Sequence, residues 1–402
     1  MPPHSAATSV SVVGSTPGPR PLISAIVPTR NRSALLREAL ESAFAVEGRG
    51  RVFDLEVIVV DDASTDDTGE AAARYPVRYI RHATNRGLSA SRNTGIAASR
   101  GQYVAFLDDD DLWLPCRFTR QVAVMESRPD AALAYSSAMW TIDGTPVPLP
   151  RQRHPTGNVF NTLLARGNFM VGSVLVVLLR RAALDRVGHF RGAGFEDYDL
   201  WLRLARHFPF VHVPGCVAVY RQTSTGLYAR LLEDPEARRL RRDIVGRALA
   251  SVPRASRRFR DTVVDQMELR NMQTVVAAGM FTDSERVAML LDLLAEYPRL
   301  VRYPQCRRGL AWLVRQVALQ SPSPLDTAAG LCDRVQRACR CPGSARRALA
   351  RVWGEVAIGL HLAGRRDVAW PAILRTCQYD PTQLIARFRD ICVERSRRLR
   401  PA

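Results

Sequence analysis

The segment Tyr103-Val-Ala-Phe-Leu-Asp-Asp-Asp-Asp-Leu-Trp113 sets four carboxylates side by side at the end of an apolar, strand-like run. Adjacent negative charges repel, so they are costly unless solvated or offset by a cation. At the end of a buried strand, bulk water is the less natural partner. A hard divalent ion, Mg2+ or Mn2+, bridging protein carboxylates to substrate phosphates would use such a cluster. An acidic, solvated turn is the plainer alternative. Polar groups follow other apolar runs as well: Thr29-Arg30-Asn31-Arg32 after residues 22–28, and Asp61-Asp62 after residues 55–60. A further acidic pair, Glu196-Asp197, comes after Gly192 and Gly194, which allow a close-approaching loop.

The elements that must position these groups can be read from periodicity. Residues 22–28 form a short strand halted by Pro28, and Ser33 can cap a helix over residues 33–44, where Leu35, Leu36, Leu40 and Phe44 have helical spacing. Residues 55–60 make a second, β-branched strand. Ser64 or Thr65 can cap a helix running to Arg74, and residues 77–80 are a third short strand. Gly87 turns the chain into a helix over about residues 89–98, residues 103–107 are the strand that delivers the acidic cluster, and Pro115 opens the next helix. Apolar strands alternating with helices predict an α/β fold with a mostly parallel sheet covered on both faces. Ligands in such sheets bind outside the carboxyl ends of the strands, where all three polar clusters fall.

At 402 residues the chain suits two domains, and 47% hydrophobic with 24% charged residues is ordinary for a globular protein. The net charge of +18 is not, and all 57 basic residues are arginine. From residue 229 onward 32 Arg face 18 Asp and Glu, so the basic character belongs mostly to the C-terminal part. Helical spacing recurs there over residues 263–280, 286–297, 345–362 and 382–398, broken at Ser321-Pro-Ser-Pro324 and Pro342-Gly-Ser344. The expected division is a disordered Ser/Pro/Gly-rich tail over 1–21, an α/β domain over 22–228 and an arginine-rich helical domain over 229–402. The eight cysteines are scattered and read as reduced thiols; Cys332, Cys339 and Cys341 lack the second CxxC of a zinc knuckle. No stretch approaches the ~20 apolar residues of a membrane span.

Five motifs now stand in order: Val27-Pro-Thr-Arg-Asn-Arg32, Val59-Val-Asp-Asp-Ala-Ser-Thr-Asp66, Asn85-Arg-Gly-Leu-Ser-Ala-Ser-Arg-Asn-Thr-Gly95, Phe106-Leu-Asp-Asp-Asp-Asp-Leu-Trp113 and Phe195-Glu-Asp-Tyr-Asp-Leu-Trp-Leu-Arg203. Together they resemble a family 2 glycosyltransferase of the Rossmann-like GT-A fold, over residues 22 to about 225. The resemblance implies an inverting, metal-dependent transfer of a sugar from a nucleoside-diphosphate donor to an acceptor hydroxyl. Asp108-x-Asp110 resembles the family's DxD motif, with Asp110 as principal ligand of Mn2+ or Mg2+ and Asp108 shared between metal and donor ribose. Asp109 is assigned to the donor site, and either it or Asp111 could instead cap a helix. Asp61 and Asp62 resemble the pair facing base and ribose, which fits a pyrimidine donor, UDP- or dTDP-linked. Thr29, Arg32 and Arg92 resemble further nucleotide or diphosphate contacts. Asp197 resembles the catalytic base, with Glu196 its rival. One departure is Gln222, which follows Arg221 where many relatives carry a histidine; glutamine is a poor metal ligand.

The expected partners are the nucleotide sugar and a glycan or lipid-linked acceptor, in cell-surface polysaccharide or glycolipid synthesis. The expected place is the cytoplasm, peripheral to the inner membrane face if the basic domain docks on anionic lipid. A helical appendage with a solvated basic surface stands beside that reading. A sugar nucleotidyltransferase shares the fold class, but opens with a glycine-rich loop where Pro28-Thr-Arg-Asn31 stands here. A non-catalytic carbohydrate- or nucleic-acid-binding protein is the third reading; no aromatic-interleaved basic motif supports it, and no nucleic acid is expected. Sugar, linkage and oligomeric state are unspecified by these residues.

Overall fold

A computed structural model describes residues 19–147, 154–170, 172–222, 235–252, 261–265, 268–269, 283–338, 342–363 and 365–379. The tail over 1–18, the expected helix over 382–398 and most of that over 263–280 lie outside them, as do Cys339, Cys341 and the expected boundary at 228/229. The described chain forms two compact units. One comprises residues up to 158, 170–200 and 204–221; the other comprises 159–169, 201–203 and the chain from 222 on.

The chain opens with β1 (Leu22–Thr29), α1 (Ser33–Phe44), β2 (Asp54–Asp61), α2 (Thr68–Ala73), β3 (Arg78–Arg81), α3 (Leu88–Ala98) and β4 (Tyr103–Phe106). It continues through β5 (Leu112–Trp113), α4 (Thr119–Ser127), β6 (Leu133–Ile142) and β7 (Thr145–Val147). Helix α5 (Phe160–Arg166), β8 (Val177–Arg180), α6 (Arg181–Val187), α7 (Glu196–Ala205) and β9 (Phe210–Gln222) follow. The strands make one mixed sheet in the order β3-β2-β1-β4-β8-β6-β9-β5, with β7 on β6. The four strands β3, β2, β1 and β4 are mutually parallel, and the β4–β8, β8–β6, β6–β7 and β9–β5 pairings are antiparallel. Register explains why the motifs meet. Thr29 pairs with Asp61, Asp61 with Arg81, and Ile26 with Phe106, so all four strand ends share one rim. Seven of eight β1 residues are buried, the pattern of a central strand covered on both faces.

Two expected boundaries shift, for identifiable reasons. Residues 62–67 stay as loop, and α2 begins only at Thr68. The Asp61 carboxylate already takes Ser64 N at 2.8 Å and the Asn31 amide oxygen takes Thr65 N at 2.7 Å, so neither residue caps a helix. Pro115 does not open a helix either. Leu112 and Trp113 pair with Val219 and Ala218 as the short strand β5, Leu114 N bonds Val217 O at 2.9 Å, and α4 starts at Thr119.

The second unit is helical where described: α8 (Pro235–Ala250), α9 (Asp283–Glu296), α10 (Pro304–Gln320), α11 (Pro324–Ala338), α12 (Pro342–Leu362) and α13 (Arg366–Tyr379). Four of these begin at proline, whose missing N–H costs nothing in a first turn. Leu290, Leu294, Leu310, Val314, Val335, Val352, Val356 and Leu360 supply an apolar core, and the Arg375 guanidinium lies over the Trp353 ring at 4.6 Å. Ser321–Pro324 separates two helices as expected, whereas Pro342-Gly-Ser344 forms the first turn of α12. Among the described residues no helix is long and apolar enough to cross a membrane.

Helix α3 carries Arg92, and its seat on β1 depends on Gly95. A Cβ there would stand 2.3 Å from Ile26 Cγ2, inside the sheet core. Gly95→Val is expected to lower the unfolding free energy by about 1–3 kcal/mol through overpacking. A urea denaturation midpoint no lower than that of the wild type would contradict this close approach.

Candidate active site

Burial of a charged side chain is expensive unless it is paired, and the site is organised around one such group. Arg92, on α3, is 2% exposed. Its Nη2 donates to both oxygens of Asp108 at 2.7 and 2.9 Å, and its Nη1 donates to Glu196 Oε1 at 2.7 Å. Burial alone would pull the guanidinium's pKa down; Asp108 and Glu196 more than offset this and hold it above its ordinary value. Glu196 is raised by burial and by the neighbouring Asp197, with Arg92 opposing. Three motifs distant in sequence are thereby tied to one cation.

The acidic turn splits its four carboxylates among different environments. Arg32, just ahead of α1, donates through Nη1 to Asp109 Oδ1 at 3.0 Å and to Asp110 Oδ2 at 2.8 Å. Asp109 is buried and pushed up to about 6, by burial and by Asp110, with Arg32 opposing. Asp110 keeps 41% of its side chain exposed and is raised by burial and by the charge on Asp108. Asp111 is buried and accepts Arg221 N at 2.8 Å; burial together with Asp108 and Asp110 raises it well above the usual carboxylate range. It caps no helix. The Arg221 side chain donates to Asp110 O and to Glu38, so β9 braces the turn from the opposite side.

Asp61 and Asp62 sit on the same rim, with their oxygens engaged by the protein. Asp61 is 1% exposed; it accepts Ser64 N at 2.8 Å and the Tyr79 hydroxyl, whose pKa is raised by burial and by that bond. Asp62 accepts Arg86 N and Gly87 N, each at 2.7 Å, and lies 2.8 Å from His82 Nδ1. The other ring nitrogen of His82 lies 2.9 Å from Thr94 Oγ1. Asp62 is lowered overall: burial opposes this, and the bonds from His82, Arg86 and Gly87 prevail. It anchors the turn that leads into α3. Thr29, buried at the end of β1, lies beside Asp109.

Glu196 and Asp197 open the first turn of α7, where the helix dipole favours carboxylates. Asp197 Oδ2 accepts the Ser173 hydroxyl, and Oδ1 accepts Tyr198 N at 2.6 Å. Asn93 exchanges two 3.0 Å bonds with the Phe190 backbone, fixing the preceding loop to α3. Five non-glycine residues have positive φ among the described residues. Four of them, Asn31, Ala63, Ser173 and Phe195, adjoin Arg32, Asp62, Asp197 and Glu196. Such backbone is costly and persists only where surrounding contacts hold it.

The structure thus brings Thr29, Arg32, Asp61, Asp62, Arg92, Asp108, Asp109, Asp110, Glu196 and Asp197 to one edge of one unit. Sequence reasoning missed His82, Tyr79, Ser173 and Phe190. Asn93, inside the Ser-Arg-Asn motif, carried a signal in its spacing; Ser173 carried none, since it enters an apolar run 24 residues before its partner.

Residues 24–188 match the family model described as glycosyl transferase family 2. A glycosyltransferase from Haemophilus influenzae is 29% identical over 192 residues, which cover 47% of this chain and 64% of that protein. The putative teichuronic acid biosynthesis glycosyltransferase TuaG of Bacillus subtilis is 26% identical over 218 residues, or 52% of this chain and 82% of its own. Among solved structures, that of S. aureus TarS 1-349 in complex with UDP-GlcNAc aligns over 92% of both chains, with 16% identity and a TM-score of 0.43. The mixed sheet flanked by helices is the arrangement expected from the motifs, and over residues 24–188 the chain is similar to glycosyl transferase family 2.

Proposed function

We propose that the chain transfers a sugar from a UDP- or dTDP-linked donor to a hydroxyl of a glycan or lipid-linked acceptor, with inversion at the anomeric carbon. The observation carrying this reading is Arg92, one buried cation bonded to both Asp108 and Glu196. It couples the carboxylates assigned to the donor with those assigned to the acceptor. A setting in cell-surface polysaccharide or glycolipid synthesis is supported by the name of the Bacillus subtilis relative.

Asp110 and Asp108 fit a divalent cation, Mn2+ or Mg2+. Burial and the charge of Asp108 raise Asp110, with Arg32 opposing, and its side chain keeps 41% of its surface exposed beside Asp108. Among the described residues no group of three His, Cys, Asp or Glu forms a complete metal cage. One or two carboxylates, with phosphate oxygens and water completing the shell, is the usual arrangement for Mg2+. When bound, the cation would neutralise charge on the departing diphosphate. Thr29, Asp61 and Arg32 line the nucleotide edge, and Asp62 shapes it through the turn it anchors.

Asp197 is the base in this reading. Glu196 is held as a counter-ion of Arg92, whereas Ser173 orients the Asp197 carboxylate. Asp197 takes the acceptor proton while the acceptor oxygen attacks the anomeric carbon opposite the diphosphate. The basic second unit would meet anionic lipid headgroups at the cytoplasmic membrane face, where each arginine near the surface adds attraction.

Asp110→Asn removes charge without changing shape. It is expected to cut cation-dependent turnover by about 10²–10⁴-fold with an unchanged circular dichroism spectrum; retained turnover removes the metal role. Asp197→Asn is expected to bind the donor normally in calorimetry while transfer falls by about 10²–10⁴-fold. Loss of donor affinity in that variant would count against the base assignment. Binding of the full chain to phosphatidylglycerol vesicles is expected to weaken steeply between about 50 and 300 mM salt. Absence of binding, or indifference to salt, would leave the basic surface solvated.

A further inference from the structure

Three arginines neutralise the acidic turn, and they differ in how firmly they are held. Arg92 is buried, with Phe190 under its guanidinium at 5.4 Å. Arg221 is fixed through its backbone N–H as well as its side chain. Arg32 is unlike both. Its side chain is 48% exposed, and a single nitrogen, Nη1, is shared between Asp109 and Asp110, themselves consecutive carboxylates. One positive centre between two carboxylate oxygens, on the solvent side of the turn, is where an incoming cation would need to stand.

We propose that Arg32 is an exchangeable counter-cation of Asp109 and Asp110. It holds the turn while no divalent ion is bound, is displaced from Asp110 by that ion, and then offers its guanidinium to the diphosphate. The inference rests on the metal reading of Asp110 given above. Like-charge repulsion makes some cation at this place necessary, because Asp108 and Asp109 both bear on the Asp110 carboxylate. The Arg32–Asp110 pair, 48% and 41% exposed, is weakly held and screened, so exchange at Asp110 is cheap while the buried Asp109 can keep its hold on the arginine. The buried Arg92 cannot leave on the same terms, because it would abandon two carboxylates. Arg32 stands at the entrance to α1 and its long side chain keeps several rotatable bonds, so only the side chain need move.

The consequence has opposite signs for two ligands. Mn2+ titrations of the full chain without nucleotide, followed by the electron paramagnetic resonance signal of free Mn2+, are expected to show about 2–5-fold tighter binding in Arg32→Met, because a competing charge is gone. Arg32→Lys, which keeps a cation, is expected to stay near wild type. With saturating Mn2+, UDP binding by calorimetry is expected to weaken about 10-fold or more in Arg32→Met, through loss of a charge-assisted hydrogen bond. Mn2+ affinity in Arg32→Met equal to or weaker than wild type overturns the proposal while leaving the metal site standing. If Asp110→Asn does not abolish the Mn2+ uptake of the wild type, or if the wild type takes up none with or without UDP, the metal reading falls and the exchange falls with it.

Discussion

The buried guanidinium of Arg92 is the constraint on which the site depends. A cation at 2% exposure is tolerable only if its countercharges are close, and Asp108 and Glu196 are both at 2.7 Å. Those countercharges come from the end of β4 and the start of α7, so the requirement to neutralise one residue brings distant segments together. Removing the arginine would leave two partly buried carboxylates facing each other, at a cost of about 3–5 kcal/mol. Asn93 repeats the arrangement one residue along, with neutral hydrogen bonds to Phe190 in place of charge. A single turn of α3 therefore sets the distance between the end of β4 and the start of α7.

Backbone strain is distributed in the same pattern. Asn31, Ala63, Ser173 and Phe195 each hold positive φ beside a residue assigned to the site. Each lies where an element ends and a polar side chain has to be turned onto the rim. Asn31 shows how this cost is offset: its N–H donates to Ser64 Oγ at 2.9 Å and its side chain accepts Thr65 N at 2.7 Å, lacing the ends of β1 and β2 together. The same bonds delay the start of α2. The loop that resists helix formation is thus a direct result of how the two strand ends are joined.

Much of this was legible beforehand, for a physical reason. Strands β1, β2 and β4 are buried on both faces and read as apolar runs, so their ends, and Thr29, Asp61 and Asp108 with them, could be located from composition alone. Helix α1 matched its periodicity from Ser33 to Phe44. What could not be read were roles set by tertiary partners. Asp62 looks in sequence like a second ligand for the nucleotide, and nothing in its spacing announces the bonds it makes with His82, Arg86 and Gly87. Ser173 sits in an apolar stretch and gains meaning only because Asp197 folds against it. Strand β5 has two residues, too few for any period to show, and it displaced the helix expected at Pro115.

That two-residue strand has a consequence for how the protein can vary. It anchors the acidic turn to β9 at its far end, while β4 anchors the near end, so the turn is a hoop fastened on both sides. A one-residue slip between β5 and β9 would carry Arg221 away from Asp110 and Asp111 and would send Trp113, now buried against Phe118, to the opposite face. A residue inserted or deleted between Phe106 and Trp113 would break one of these two anchors. A length change would cost less at a tip such as Asp143-Gly144, where the β6–β7 hairpin reverses and a Cβ on Gly144 would meet nothing within 4 Å.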